Sequence, residues 1–311
     1  MPAGPAKGNS YRIISAALIG KREGMTMVRT IGNPISWAAQ TLGATSDHVA
    51  ESVTGIGGAG TPKMPKVQTL SFSDLWACLR AGSEDFMETR ADAVFVVLIY
   101  PLAGLLMFGF GLNRNMIPLL APLIAGFALI GPVAAVGLYE ISRKREQGAE
   151  AHWLDALGVF RSPSFGAILT LGFYLVALLL IWLMVAQSIY VQTLGPDPPT
   201  SFSTFLTQVF TTKAGWVMIL SGILVGIFFA LVALATSVIS FPLLLDRKVG
   251  VPLAVVTSVR VLRHNPSVIL TWGLVVSSAL ILGAIPMLLG LIVVIPVLGH
   301  ATWHLYRCAV T

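Results

Sequence analysis

Residues 165–186 read FGAILTLGFYLVALLLIWLMVA, a run without a single charged side chain. A helix needs about 20 predominantly apolar residues to cross a bilayer, so this run predicts a transmembrane helix. Similar runs predict further spans at 92–111, 116–139, 215–245, 267–285 and 288–306. We therefore expect an all-α membrane protein with about six spans in three hairpins.

The last two predicted spans follow each other almost without a loop. As one helix, residues 267–306 would measure about 60 Å, twice the hydrocarbon thickness of a bilayer. Gly283 and Pro286 lie between the two spans, and both residue types weaken or break helices. The chain is therefore expected to turn there, and five spans followed by a re-entrant end are the alternative.

The composition excludes a large soluble domain. Of the 311 residues, 55% are hydrophobic and only 11% are charged, whereas soluble domains carry about 25% charged residues. The net charge of +6 is therefore not read as a sign of nucleic-acid binding. Cys78 and Cys308 are the only cysteines, too few for a disulfide framework.

Basic residues are distributed unevenly between the two sides of the predicted membrane. Of the 20 Lys and Arg residues, all but Arg114 and Lys213 fall in the N-terminal segment, the connections 143–164 and 246–266, or the tail. Cytoplasmic loops of membrane proteins carry the excess of Lys and Arg. We therefore expect both termini in the cytoplasm.

The first 68 residues differ in character from the rest of the chain. They are rich in Gly, Ala, Ser and Thr and show no sustained apolar periodicity, which predicts a flexible cytoplasmic segment. The helical membrane domain is expected over 69–308. The stretch MTMVRTIGNPISW has the form of a natural opening, and a start at Met25 or Met27 would leave residues 1–24 untranslated.

Three stretches on the cytoplasmic side have the pattern of amphipathic helices, each just before an outgoing span. Their apolar arcs are Leu75, Trp76, Leu79 and Phe86 in the first, Trp153, Leu157 and Phe160 in the second, and Val255, Val256, Val259 and Leu262 in the third. The polar residues opposite these arcs are Glu84, Asp85 and Glu88, then Asp155, then Thr257, Arg260 and His264. All three are expected to lie at the membrane surface.

The returning spans end alike. PVAAVGLYEISR (132–143) and PVLGHATWHLYR (296–307) share an initial Pro-Val and an Arg at the twelfth position, and TSVISFPLLLDR (236–247) keeps the Arg. These similarities indicate an internal repeat of one interfacial helix followed by a two-span hairpin.

Polar residues gather at the cytoplasmic ends of the predicted spans. The candidate cluster there comprises Glu140, Arg143, Asp246, Arg247, His300 and His304. Arg143 follows Glu140 by three residues, so a local ion pair on one helix face is the simplest interpretation of that pair.

His300 and His304 stand four residues apart and therefore share a helix face. Aromatic and titratable residues are tolerated where a span meets water, and we interpret both histidines as part of such an exit. A haem or metal ion bound by the pair is the alternative. The last two spans contain no Asp, Glu or further His as a third ligand, and Cys308 is the nearest soft one. We expect no metal and no cofactor.

Motifs of catalysis and of ion coupling are missing. The sequence has no phosphate-binding, zinc-protease or hydrolase signature, so no catalytic residue is assigned. Asp92, Glu140 and Asp246 all lie at span ends. A proton- or sodium-coupled transporter would place an acidic residue near the membrane midplane.

Three motifs resemble a known family: GPVAAVGLYEISRKREQG, VISFPLLLDRKVGVPLAVVTSVRVLRHNP and GLIVVIPVLGHATWHLYR. The family consists of uncharacterised bacterial integral membrane proteins, catalogued as a domain of unknown function and sometimes labelled cytochrome c oxidase subunit I-like. The resemblance covers about residues 70–308 and implies a polytopic inner-membrane protein without an assigned activity. A haem–copper catalytic subunit needs histidines on several helices, whereas the predicted spans contain only His300 and His304.

Two classes of function stay open. The first is a non-enzymatic scaffold or accessory subunit of a membrane complex, for example a respiratory one, in contact with lipid, other subunits or anionic lipid. The second is a transporter or channel for a small, weakly charged solute. Its neutral path would be lined by hydroxyl groups, namely those of Thr170, Ser221, Thr236, Ser240, Thr271 and Ser277.

Overall fold

The computed structural model describes residues 64–97, 104–105, 109, 113–149, 152–286 and 288–311. Its α-helices are α1 Phe72–Val97, α2 Leu120–Ala134, α3 Val136–Glu146, α4 Phe165–Thr193, α5 Phe202–Thr211, α6 Lys213–Ser237, α7 Ser240–Asp246, α8 Val251–His264, α9 Pro266–Ala284 and α10 Leu291–Ala309. Two 3₁₀ helices cover Arg114–Leu119 and Trp153–Arg161. The all-α prediction is confirmed for these residues.

Three of the predicted spans are present as long apolar helices. They are α4, the α6–α7 pair over Lys213–Asp246, and α9. With 29 residues, α4 is about 43 Å long, which exceeds the hydrocarbon thickness of a bilayer. A fourth span exists if the bent pair Asn115–Gly126 and Ala128–Ala134 is counted as one. The described residues therefore provide three or four candidate spans, and the count of six is not confirmed.

The other two predicted spans have different outcomes. Most of 92–111 lies outside the described residues. Residues 288–306 fall largely in α10, which is helical but is not among the described helices that are apolar enough to cross a membrane. The reason is its second half, where His300, Trp303 and His304 interrupt the apolar run and the residues are buried in protein.

The predicted turn between α9 and α10 is confirmed. The helices end at Ala284 and begin again at Leu291, and Leu288 between them has a positive φ of 67°. Gly283 and Gly290 approach so closely that a Cβ on Gly290 would lie 2.7 Å from the Gly283 carbonyl oxygen. The absence of side chains at both positions lets α9 and α10 form a tight hairpin.

The main core extends along α4 and α6, and its most deeply buried part lies at one end of the helices. There, α3, α7 and α10 finish with Arg143, Arg247 and Arg307, and we call it the basic end. Its fully buried large side chains come from all three helices and include Leu138, Ile141, Phe241, Leu244, Trp303 and Tyr306. Towards the other end, the spans expose most of their apolar side chains. The helices are therefore held together mainly at the basic end.

A short helix not predicted from the sequence lies at the opposite end. In α5, Ser201 caps the N-terminus by accepting a hydrogen bond from the Thr204 amide. Phe205 and Val209 bury one face against Tyr190 and Ile117. Helix α5 thus joins α4 to α6 and carries a small core of its own.

The segment before α1 is paired with the C-terminal residues. Val67 and Val310 form an isolated antiparallel β-bridge, and Lys66 and Gln68 donate backbone hydrogen bonds to Thr311 and Ala309. The chain is therefore ordered at least from Lys66, three residues before the expected start of the membrane domain. The predicted flexible segment up to residue 63 lies outside the described residues.

The three predicted surface helices are present, but two of their buried faces differ from the prediction. In α1, Asp85 was expected in solvent and is buried, whereas Trp76 is 73% exposed. In α8, Thr257 was expected to oppose the buried arc and is itself fully buried, whereas Val256 is exposed. In both helices, small or polar residues join the face that packs on protein because they allow close approach. Leu75 and Phe86 of the predicted apolar arc are buried as well.

The second surface helix has a similar arrangement. It is a 3₁₀ helix with three residues per turn, which places residues three apart on one face. Leu154, Leu157 and Phe160 are exposed together, whereas Ala156 and Val159 are buried. An exposed apolar row of this kind fits a helix that lies in the membrane surface.

Candidate functional site

The three returning helix ends that share an arginine in the sequence meet at the basic end. Helices α3, α7 and α10 all contact one another. Between them and α1 lies a set of polar side chains, which we call the polar cluster: Asp85, Ser142, Arg145, Glu146, Asp246, His300, His304, Tyr306 and Arg307. Asp85, Ser142, His300 and Tyr306 are buried, whereas Glu146 and Arg307 lie at its exposed edge.

Asp85 lies at the centre of one half of the polar cluster. Its Oδ2 atom accepts a hydrogen bond of 2.6 Å from the Ser142 hydroxyl and one of 3.0 Å from His304 Nε2. Its Oδ1 atom accepts one of 2.7 Å from Arg145 Nη1. One carboxylate therefore ties α1 to α3 and to α10.

These partners also stabilise the charge of Asp85. Burial raises the pKa of this carboxyl group, but the hydrogen bonds from His304 and Ser142 outweigh burial and hold the pKa below its usual range. Asp85 is therefore an ionised, buried acceptor.

His300 is completely buried, and its hydrogen bonds define its tautomer. The Ser142 hydroxyl gives its only proton to Asp85, so the contact of 2.7 Å between Ser142 Oγ and His300 Nδ1 requires the imidazole to donate. His300 Nε2 is then an acceptor, and it has no hydrogen-bond partner in the described part of the chain. The ring is therefore held as a neutral side chain by one hydrogen bond and by packing.

The other half of the polar cluster surrounds Asp246 and Glu146. The Tyr306 hydroxyl donates a hydrogen bond of 2.6 Å to Asp246, and Arg307 Nη1 lies 3.5 Å from the same oxygen. Glu146 accepts hydrogen bonds from Trp303 Nε1 and Arg307 Nε. Each acidic residue here joins α10 to the end of a different helix.

The predicted site residues are brought to the basic end but not into one group. Glu140 and Arg143 form the expected local ion pair, with two hydrogen bonds of 2.7 and 2.8 Å, and this pairing raises the pKa of Arg143. Asp246 contacts Arg247 at 3.6 Å. His300 and His304 share a face as predicted and turn towards Asp85.

Asp85 itself was missed as a member of the site. Sequence periodicity placed it opposite Leu79 and Trp76, on a polar face. The usable signal was the small residues on the same face as Asp85, Gly82 one turn earlier and Cys78 two turns earlier. A face with small residues can approach another helix closely, and α10 occupies it.

The polar cluster differs from two familiar kinds of centre, a metal site and a serine-hydrolase triad. No group of three or more His, Cys, Asp or Glu residues in the described ranges is arranged to hold a metal ion. In a serine hydrolase, the histidine lies between the serine and the acid. Here, the buried Ser142 lies between His300 and Asp85 and donates to the acid. The hydrogen bonds of this arrangement hold α1, α3 and α10 together.

A pair of thiols lies beside the polar cluster. Cys78 is buried and Cys308 is exposed, with their sulfur atoms 3.9 Å apart. The hydrogen bond from the Cys78 thiol lowers the pKa of Cys308 to about 7, and the same contact together with burial raises the pKa of Cys78. Cys308 is therefore the reactive thiol of the pair.

We expect alkylation of Cys308 by iodoacetamide to accelerate with pH, with a midpoint near its pKa of about 7. In a Cys78→Ala variant, the stabilising hydrogen bond is lost, so the midpoint should move up towards the ordinary thiol value of about 8.5. Mass spectrometry of the modified peptide measures the rate, and Cys308→Ser is the blank. An unchanged midpoint in Cys78→Ala would show that the neighbouring thiol has no influence.

Comparison with known proteins gives one match. Residues 119–246 match the model of a family described as "Predicted integral membrane protein (DUF2189)". No curated protein and no solved structure matches the chain. The matched residues contain α2 to α7, which include two of the three long apolar helices. The match over residues 119–246 supports the recognised family of uncharacterised integral membrane proteins, and it does not confirm the cytochrome c oxidase label.

Proposed function

We propose that the chain is a non-enzymatic scaffold or accessory subunit of a membrane complex in the bacterial inner membrane, with both ends in the cytoplasm. The observation that carries the proposal is the surface of α6. In the apolar stretch of Lys213–Asp246, only 11% of the residues are buried inside the chain, compared with 33% for α4 and 22% for α9.

The exposed surface of α6 is apolar all round. Its exposed large side chains are Trp216, Val217, Leu220, Ile223, Leu224, Ile227, Phe228 and Leu231. The same helix contains GILVG at 222–226, and glycines four residues apart favour close packing between membrane helices. A Cβ on Gly222 would meet no atom within 4 Å, so the space beside it is open to a helix of another subunit.

The basic end supports this role because it supplies a rigid base for the exposed spans. Asp85, Asp246 and Glu146 fix α10 to three other helices. The excess of Lys and Arg on this side supports its assignment to the cytoplasm.

The alternative, a transporter with a path lined by hydroxyl groups, receives less support. Five of the six candidate hydroxyls donate to the backbone carbonyl four residues earlier, at 2.6–2.8 Å; they are Thr170, Ser221, Thr236, Ser240 and Ser277. A hydroxyl bonded in this way is satisfied without a solute.

The proposal predicts that the chain purifies from its native membrane, in a mild detergent, in an assembly larger than its own 33.1 kDa. Substituting Gly222→Leu should fill the space beside α6 and release the chain from the assembly, with about tenfold less copurifying subunit. Mass photometry and quantitative mass spectrometry of the purified material measure both quantities.

The matched control is Ser278→Leu, which adds the same side chain at an exposed position of α9. Its assembly should equal that of the parent, and all three proteins should insert equally well. A parent chain that is monomeric in nanodiscs and conducts small solutes in liposomes would contradict the proposal and favour the transporter.

A further inference from the structure

A cleft of about 250 Å³ opens at the basic end beside the last turn of α8. It is lined by Val67, Arg260, Arg263 and His264. Arg260 and Arg263 are three residues apart and therefore lie on one side of the helix. His264 Nε2 contacts the Thr69 hydroxyl at 3.1 Å, which fixes the segment containing Val67 as the opposite wall.

The position of this wall is built into the fold. Asn265 accepts a hydrogen bond of 2.8 Å from the Leu70 amide and donates one of 2.9 Å to the Gln68 carbonyl oxygen. Val67 is also held by its bridge to Val310. The cleft is therefore bounded by two fixed walls, one basic and one apolar.

The two guanidinium groups of the cleft differ from the paired arginines at the ends of α3 and α10. Arg143, Arg145 and Arg307 each pair with a carboxylate at the basic end. Among the described side chains, neither Arg260 nor Arg263 has a carboxylate within ion-pair distance. Two positive charges thus face the same cleft, and no carboxylate in the described part of the chain neutralises them.

The position of the cleft beside the start of a candidate span predicts that it faces the lipid headgroups. Helix α8 ends at His264, and the membrane-spanning α9 begins at Pro266, so Arg263 is less than one turn from the start of a span. The exposed Val256 on α8 places an apolar residue on the same surface helix. Basic residues in this position face the phosphate layer of the bilayer.

We propose that this cleft binds a phosphate group, and specifically that of an anionic lipid. A guanidinium presents a planar fork of N–H donors that matches two phosphate oxygens, and two such forks with an imidazole can surround one phosphate. Val67 offers an apolar contact for the glycerol and the first methylene groups. The inference is independent of whether α6 binds another subunit.

The test uses the full chain in mixed micelles of a mild detergent, phosphatidylcholine and phosphatidylglycerol. The parent should retain phosphatidylglycerol after gel filtration, and an Arg260→Gln, Arg263→Gln double variant should bind it about 25-fold more weakly, because two cationic contacts are lost. Arg263→Lys keeps the charge without the fork and should show a loss of only a few-fold. Lipid mass spectrometry measures the retained lipid per chain.

The control is an Arg80→Gln, Arg161→Gln double variant, which removes the same charge from exposed positions on the other two surface helices. It should retain the lipid like the parent.

A parallel titration with inorganic phosphate alone distinguishes a lipid headgroup from free phosphate as the source of the phosphate group. If inorganic phosphate saturates a site in the parent but not in the Arg260→Gln, Arg263→Gln variant, the cleft is a phosphate site that also accepts a soluble ligand. If the parent and the Arg260→Gln, Arg263→Gln variant bind lipid equally and also bind phosphate equally, the proposal is overturned.

Discussion

Asp85→Ala is expected to lower the free energy of unfolding by about 3–5 kcal/mol, the cost of breaking a buried ion pair by removing one partner. The substitution leaves Arg145 without its partner on Oδ1 and removes the acceptor of Ser142 and His304. Thermal and denaturant unfolding of the purified chain in detergent micelles, followed by tryptophan fluorescence, measures the change.

The neighbouring residue provides the control. Glu84 forms an exposed pair with Arg80 on the same helix, and Glu84→Ala should change stability by no more than about 1 kcal/mol.

The pH dependence of stability gives a second readout, because the pKa of Asp85 is lowered in the folded chain. Its contribution is present above the unfolded pKa of about 3.9 and is lost as the pH falls through the folded pKa. The difference between parent and Asp85→Ala should therefore close only below about pH 4, and equal stability of the two at pH 7 would refute the central role of Asp85.

Gly82→Ala is the second substitution with a large expected effect. A Cβ at this position would lie 2.5 Å from the Ala301 amide nitrogen and 2.7 Å from the Val297 carbonyl oxygen, both backbone atoms of α10. Backbone cannot rotate away as a side chain can, so α1 and α10 must separate along their contact. We expect a loss of about 1–3 kcal/mol, and a larger loss for Gly82→Leu.

Gly172→Ala is the matched control for this substitution. It is also a glycine inside a long helix, but a Cβ there would meet only Val133 side-chain atoms at 3.5 and 3.6 Å, an ordinary contact. Alanine favours a helix over glycine by about 1 kcal/mol, so Gly172→Ala should be neutral or stabilising in the same unfolding experiment. If both variants gain stability equally, α1 and α10 do not pack as closely as described.

The apolar helices could be predicted from the sequence because they depend on composition. Residues 165–186 contain no charge, and any helix that includes them has a lipid-compatible surface whichever neighbour it meets. The turn near Gly283 could be predicted for a similar local reason, since one helix over residues 267–306 would be about twice as long as the hydrocarbon layer is thick.

Features that depend on contacts between distant helices could not be predicted in the same way. Asp85 lies among surface acids in the sequence, and its burial depends on α10, more than 200 residues later. The sequence places His300 and His304 on one face, as the structure does. Their common partner, Asp85, lies outside the last two spans, where a third ligand was sought. Helix α10, predicted as a span over 288–306, buries its second half in protein because it packs on α1 and α3. Both of these helices are also distant in the sequence.

The position of Asp85 in the chain also has a consequence for biosynthesis. Its partner His304 is translated 219 residues later, which takes roughly 10–45 s at about 5–20 residues per second. Throughout this interval, Asp85 lacks its partner on α10, and Ser142 and Glu146 wait for theirs from the time they are made, while the intervening hairpins enter the bilayer. The basic end therefore assembles last. If synthesis stops before Trp303, the membrane helices are inserted but the hydrogen bonds between α10 and the rest of the polar cluster are missing. Such a chain would expose the α1 face with Gly82, a ready signal for quality-control proteases to recognise unfinished molecules.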